Sequence, residues 1–111
     1  AKHITFNEIS ILSTSADYGW GIHLINEADS NTITNCYIDM SSVTATLPQN
    51  SAGVMGMNSS TSSIAQGNTT NYLTISNNFI TGGYQGIRIY GNSTTRLRFN
   101  QILNNTIQDF Y

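Results

Sequence analysis

The stretch ISNNFI, residues 75–80, opens and closes on isoleucine and holds two asparagines between them. Three other stretches share this shape: FNEISI at 6–11, ITNCYI at 33–38 and ILNNTI at 102–107. Successive copies are offset by 27, 42 and 27 residues, so two spacings agree and the middle one is longer by 15. A unit that recurs at a fixed spacing indicates a stacked repeat, in which each unit buries its apolar face against the next one.

A second series of short, glycine-led stretches lies between these copies. It reads GIHL at 21–24, GVMG at 53–56 and GIRI at 86–89. Glycine followed by a β-branched residue and then by alternation predicts a short strand with a turn before it. Each repeat therefore holds three short strands, and no segment shows the period of a helix. The strands predict three stacked apolar columns, which are Phe6, Ile33, Ile75 and Ile102; Ile11, Ile38, Ile80 and Ile107; and Ile22, Val54 and Ile87.

These residues resemble the right-handed parallel β-helix of the pectate-lyase-like superfamily, and the resemblance covers nearly the whole chain. The third position of the repeat, Asn35, Asn77 and Asn104, is similar to that superfamily's asparagine ladder, which lies in a tight turn between strands. Asparagine suits such a turn because it tolerates the left-handed conformation and hydrogen-bonds the backbone. Glu8 takes this position in the first copy, so either that coil is an end of the stack or the register slips there.

The chain of 111 residues fits a single domain, 1–111, whose coils start near residues 6, 33, 75 and 102. The longer offset predicts an insertion loop within 41–72, rich in Ser, Thr, Gly and Asn, from which 53–57 returns to the stack. Tyr111 matches Tyr84 of the preceding coil, and no amphipathic helix caps either end. We therefore expect a segment of a longer chain, whose open ends pair with neighbouring coils of the parent protein or with another chain.

Composition narrows the classes of function. Only 9% of residues are charged, against roughly 25% in ordinary soluble domains. The net charge of −2 includes no run of either sign, so a basic face for nucleic acid is not expected. No apolar stretch approaches the ~20 residues of a membrane span. The one cysteine, Cys36, is expected to be a small buried side chain. The resemblance implies a secreted or cell-surface protein of bacterial origin.

Alternation also predicts a surface for carbohydrate. It places His23, Met55 and Arg88 in one outward column of the glycine-led strands, the sheet that forms the polysaccharide groove in the superfamily. Aromatic rings beside polar groups suit sugars, whose faces are weakly apolar, and arginine pairs well with a uronate carboxylate. The carbohydrate-binding candidates are Asp17, Tyr18, Trp20, His23, Tyr84, Arg88 and Tyr90.

The sequence predicts no complete catalytic site, metal site or cofactor site. A lyase of the superfamily needs clustered acids to hold Ca²⁺, and a hydrolase needs two carboxylates roughly 5 to 10 Å apart. The six acids are scattered, and Asp39 aligns with Thr81 and Gln108 rather than with another acid. We therefore expect a non-catalytic scaffold, stalk or polysaccharide-binding module, with a polysaccharide or cell-surface glycan as partner. The alternative is a fragment of a polysaccharide lyase or glycoside hydrolase whose acids lie in other coils.

Ice binding is a third and minor hypothesis. The outward rows Thr32 with Thr34 and Thr74 with Ser76 resemble the regular threonine faces of some ice-binding solenoids. Leu103 interrupts the row in the last coil, and threonine is a good exposed strand residue in any sheet.

Overall fold

The computed structural model describes residues 1–47, 50–59, 68–94 and 96–110. The predicted insertion within 41–72 therefore lies partly outside the described residues, as does Tyr111. The described part of the chain forms strands only. They are β1 (Thr5–Asn7), β2 (Ser10–Leu12), β3 (Gly19–Ile25), β4 (Thr32–Thr34), β5 (Tyr37–Met40), β6 (Ser51–Met57), β7 (Thr74–Ser76), β8 (Phe79–Gly82), β9 (Gln85–Ile89), β10 (Gln101–Leu103) and β11 (Thr106–Gln108).

The strands pair in parallel and form three sheets. The first sheet has the order β1-β4-β7-β10, the second β2-β5-β8-β11 and the third β3-β6-β9. In the first sheet the paired residues are 27, 42 and 27 positions apart, as the repeat predicted. The protein is therefore all-β, with parallel strands stacked in three sheets, an arrangement compatible with a β-solenoid.

The three predicted apolar columns are confirmed by the register. Ile33 pairs with Ile75 in the first sheet, Ile38 pairs with Ile80 in the second, and these four side chains are completely buried. Each fully buried isoleucine stabilises the fold by about 1.5–3 kcal/mol relative to an exposed one. Ile102 continues the first column but is 52% exposed, because a coil at the edge has a neighbour on one side only.

The glycines of the second series serve close packing rather than the turn that the sequence indicated. Gly21 and Gly53 lie inside β3 and β6, two residues after each strand begins. A Cβ on Gly21 would lie 2.5 Å from the Gly53 carbonyl oxygen and 2.6 Å from Cγ2 of Ile38. Only glycine therefore lets the third sheet approach the isoleucine column of the second.

The asparagine positions adopt the left-handed turn that the resemblance implied. Asn35, Asn77 and Asn104 have φ of 54°, 56° and 55°, and Glu8 has φ of 57° in the first coil. The register therefore does not slip at Glu8, since β1 pairs with β4 in step with the other coils. All four of these side chains are exposed.

The amides that bond inside the stack belong to the next residue, one position later than the predicted ladder. Asn78 Oδ1 accepts from the Cys36 backbone N–H at 2.9 Å, and Asn78 Nδ2 donates to the Ile33 carbonyl at 2.9 Å. Asn105 repeats both bonds one coil later, with the Asn78 N–H at 3.0 Å and the Ile75 carbonyl at 2.9 Å. The left-handed residue turns the chain so that the following side chain, not its own, points inward.

Cys36 occupies the same interior row one coil before Asn78. It is buried, as expected, and its Sγ lies 3.2 Å from the Thr34 carbonyl and 3.6 Å from the Phe6 carbonyl. A thiol is a weak donor, so it replaces an amide in this row only in part.

Candidate functional site

The outward face of the third sheet holds most of the carbohydrate-binding candidates. His23, Met55 and Arg88 share one column, as predicted, because β3, β6 and β9 pair in that register. Met55 and Met57, however, are completely buried, and together with Ala52 they form a second apolar cluster. The middle of this face is therefore a packed apolar layer.

Trp20 and His23 form one group on β3. Their rings meet edge to face, with centroids 5.0 Å apart and an interplanar angle of 60°. Trp20 also packs against the cluster of Ala52, Met55 and Met57. Partial burial lowers the pKa of His23, so its ring stays neutral at pH 7. Neutral histidine against tryptophan contributes packing more than charge.

Arg88 and Tyr90 form a second group across the buried middle strand. The guanidinium carbon of Arg88 lies 5.3 Å from the centre of the Tyr90 ring, within the range of a cation–π contact. Nη1 of Arg88 donates to Oε1 of Gln85 at 3.0 Å. These two contacts fix the orientation of the half-buried Arg88 side chain. Its other N–H groups can still bind an anion.

The remaining candidates lie before the strands of this sheet. The backbone N–H groups of Asp17 and Tyr18 donate to Ser15 Oγ at 3.2 and 3.3 Å, which forms a serine turn ahead of β3. Tyr18 is 62% exposed. Tyr84 is half-buried in the bend between β8 and β9. The structure therefore joins two pairs of candidates, and it leaves Asp17 and Tyr18 in one turn and Tyr84 in another.

The acids Glu27, Asp29 and Asp39 have partners close to them. Asp39 lies opposite Thr81, as predicted, and its Oδ1 accepts from the Ser41 N–H at 2.8 Å. Hydrogen bonds from the Ser41 side chain and backbone lower the pKa of Asp39. Lys2 pairs with Asp29 at 3.3 Å and with Glu27 at 3.5 Å. Among the described residues, no group of three or more histidine, cysteine or acidic side chains is placed to hold a metal ion.

The predicted threonine face is uneven. Thr5, Thr32 and Thr74 align in register on the first sheet. The hydroxyls of Thr34 and Ser76 bond to each other at 3.2 Å, and the next position in that row is Leu103. Hydroxyls that bond one another are less available to order water. The geometry therefore favours an ordinary strand surface over an ice-binding face.

Two stacked aromatic pairs were not predicted from the sequence. Tyr37 and Phe79 are neighbours on the second sheet, with ring centroids 5.5 Å apart. Tyr72 and Phe99 stack with centroids 5.0 Å apart and an interplanar angle of 12°. The signal that could have found the second pair is its spacing, since Tyr72 and Phe99 are 27 residues apart, one coil.

No helix in the described part of the chain is long and apolar enough to cross a membrane. No protein-family model, curated protein or solved structure matches this chain.

Proposed function

We propose that this chain is a non-catalytic segment of a right-handed parallel β-helix of the pectate-lyase-like kind. In this proposal it acts as a scaffold or stalk of a secreted or cell-surface protein. Right-handed connections are the rule where parallel strands of one sheet are joined by a crossover, which supports the handedness. The repeat offsets, the parallel register and the left-handed asparagine turns support the superfamily.

The non-catalytic role is inferred from the outer face of the third sheet, which is closed. In an enzyme with this architecture that face would hold an open, polar cleft with acids reaching the substrate. Here Met55 and Met57 fill the centre of the face and are completely buried. A substrate chain lying across the three strands would have to displace this apolar layer, which favours a structural role.

Polysaccharide binding at the margin of this face is a second candidate function. The arrangement of Arg88 over Tyr90 favours it, because a guanidinium beside an aromatic ring suits an acidic sugar. On the other margin Trp20 adds a second ring. The two groups would contact the ligand separately, since the middle strand offers only buried methionine between them.

Turnover assays test the structural role. The chain is incubated with polygalacturonate, alginate and a neutral galactan, and unsaturated uronate products and new reducing ends are measured. We expect no product above that of the boiled protein. Product that rises with protein concentration and is lost in Arg88→Gln would overturn the non-catalytic proposal.

Affinity electrophoresis tests the second candidate. Arg88→Gln removes the cation, and Lys2→Gln is the matched control because Lys2 is a cation outside this sheet that is already paired with Asp29 and Glu27. We expect Arg88→Gln alone to reduce retardation by polygalacturonate. Equal retardation of both variants and the unsubstituted protein rules out binding at this margin and leaves the scaffold proposal in place.

A further inference from the structure

A second left-handed turn recurs at another corner of the stack, before the first strand of each coil. His3, Ser30, Tyr72 and Phe99 occupy it, with φ of 59°, 57°, 55° and 58°. Backbone bonds join successive coils here, as in the bond from the Tyr72 N–H to the Arg98 carbonyl at 3.1 Å. The corner is therefore a regular part of the stack and not a local distortion.

Aromatic residues are disfavoured in the left-handed conformation that this corner requires. The left-handed region brings Cβ close to the following carbonyl oxygen, so glycine and asparagine are favoured there. The other left-handed corner follows that rule at Asn35, Asn77 and Asn104. Tyr72 and Phe99 do not follow it, and residues held in disfavoured conformations concentrate at binding sites.

The two rings are not part of the hydrophobic core. Tyr72 is 57% exposed and Phe99 is 67% exposed, and both stack on each other at the surface. The preceding residue of the column, Ser30, has too small a side chain to cover the far face of Tyr72. Because the rings are stacked, each covers one face of the other, and the other face of Tyr72 lies towards the small Ser30. The pair forms a largely exposed apolar surface, called the platform below.

Polar residues directly precede the two rings in the chain. Asn71 precedes Tyr72, and its Oδ1 accepts from the Arg98 N–H at 2.7 Å while its Nδ2 donates to the Thr69 carbonyl at 2.9 Å. Arg98 adjoins Phe99 and is exposed. Both ion pairs among the described residues involve Lys2, so Arg98 has no carboxylate partner in that part of the chain.

We propose that Tyr72 and Phe99 form a stacking platform for the sugar rings of an acidic polysaccharide, and that Arg98 pairs with the uronate carboxylate. The apolar face of a pyranose ring covers an aromatic ring, and guanidinium binds carboxylate in a two-point contact. The proposal rests on the proposed function only in taking polysaccharide as the ligand. The site is separate from the margins of the third sheet.

Single-stranded nucleic acid is the other ligand class that uses aromatic platforms, because bases stack on them. Such sites also need a basic path for the phosphate backbone. The chain has a net charge of −2 and only four lysine and arginine residues in 111. The exposed guanidinium of Arg98 fits one carboxylate per sugar better than a continuous row of phosphates.

Affinity electrophoresis of the intact chain in gels containing polygalacturonate, alginate, neutral galactan or oligothymidylate tests the proposal. The double variant Tyr72→Asn, Phe99→Asn removes the platform with the residue that left-handed turns favour. We expect its dissociation constant for an acidic polysaccharide to rise about tenfold or more, with an unchanged or higher melting temperature. Arg98→Gln should weaken binding to the acidic polymers only.

The other stacked pair provides the matched control. Tyr37→Thr, Phe79→Thr removes two stacked rings from strand positions and should leave binding unchanged. Three results would overturn the proposal: no retardation of the unsubstituted protein by either acidic polymer, equal retardation of the platform variant, or stronger retardation by oligothymidylate. A lower melting temperature in the platform variant would also overturn it, since the rings would then be structural. Product formation in the turnover assays would change the proposed function but not this outcome.

Discussion

Replacing Asn78 with alanine tests which asparagine row holds the coils together. Asn78 is buried, and its carboxamide is the acceptor for the Cys36 N–H and a donor to the Ile33 carbonyl, both at 2.9 Å. Nδ2 also donates to Oδ1 of Asn105 at 2.9 Å. Alanine removes all three bonds and leaves a buried N–H and a buried carbonyl short of a partner.

The size of the effect follows from these groups. Each of the two buried groups that lose their partner costs about 1–3 kcal/mol, so Asn78→Ala should lower the free energy of unfolding by about 2–6 kcal/mol. For a domain of this size that corresponds to a fall in melting temperature of roughly 8–24 °C. Asn77→Ala is the matched control, because Asn77 is exposed and has a left-handed backbone. It should cost only about 0.5–1 kcal/mol, the loss of the asparagine preference for that conformation.

Urea denaturation followed by the fluorescence of Trp20, the one tryptophan, measures both variants. The expected order is a large loss for Asn78→Ala and a small one for Asn77→Ala. If Asn77→Ala costs as much as Asn78→Ala or more, the ladder lies at the exposed position and the reasoning from the interior bonds is wrong.

Three further predictions concern the interior and the third sheet. Cys36→Asn should raise the free energy of unfolding by about 1 kcal/mol in urea melts, because an amide there can donate to the Phe6 carbonyl; a loss of stability would contradict this. Gly53→Ala should lower it by about 1–3 kcal/mol, since the new Cβ would overlap Cγ2 of Ile80 and lie 2.8 Å from the Gly86 carbonyl oxygen; an unchanged urea midpoint would refute the close approach. Burial lowers the pKa of His23, so the unfolded state binds more protons and stability should fall as pH drops below about 6.5. His23→Gln should reduce this loss of stability between pH 7.5 and pH 5. If the urea midpoint falls by the same amount in both proteins over that range, His23 is not responsible.

The candidate surface was predicted in part. Alternation correctly placed His23, Met55 and Arg88 in one column, because side-chain direction is a local property of a strand. It did not show that Met55 is buried, since the atoms that cover a side chain come from elsewhere in the chain. The residues around Trp20 and those around Tyr90 therefore form two separate groups rather than one continuous exposed surface.

The platform of Tyr72 and Phe99 shows a different limit. Their spacing of 27 residues follows from the sequence, and the coil offset would have placed them one above the other. What no local pattern predicts is the left-handed backbone at two bulky residues, because propensity favours asparagine or glycine there. Only the packed stack, which imposes the same corner on every coil, holds them in that conformation.

The spacing of apolar residues along the chain was sufficient to predict the parallel stack and its register. Apolar residues at a fixed offset can be buried together only when the coils lie directly above one another, so the columns through Ile33 and Ile38 follow from spacing alone. Which polar side chain of each turn faces inward depends on the folded backbone and could not be predicted from spacing. Asn77 and Asn78 are adjacent and identical in kind, and it is the left-handed twist at Asn77 that leaves its own amide in water and turns Asn78 into the stack.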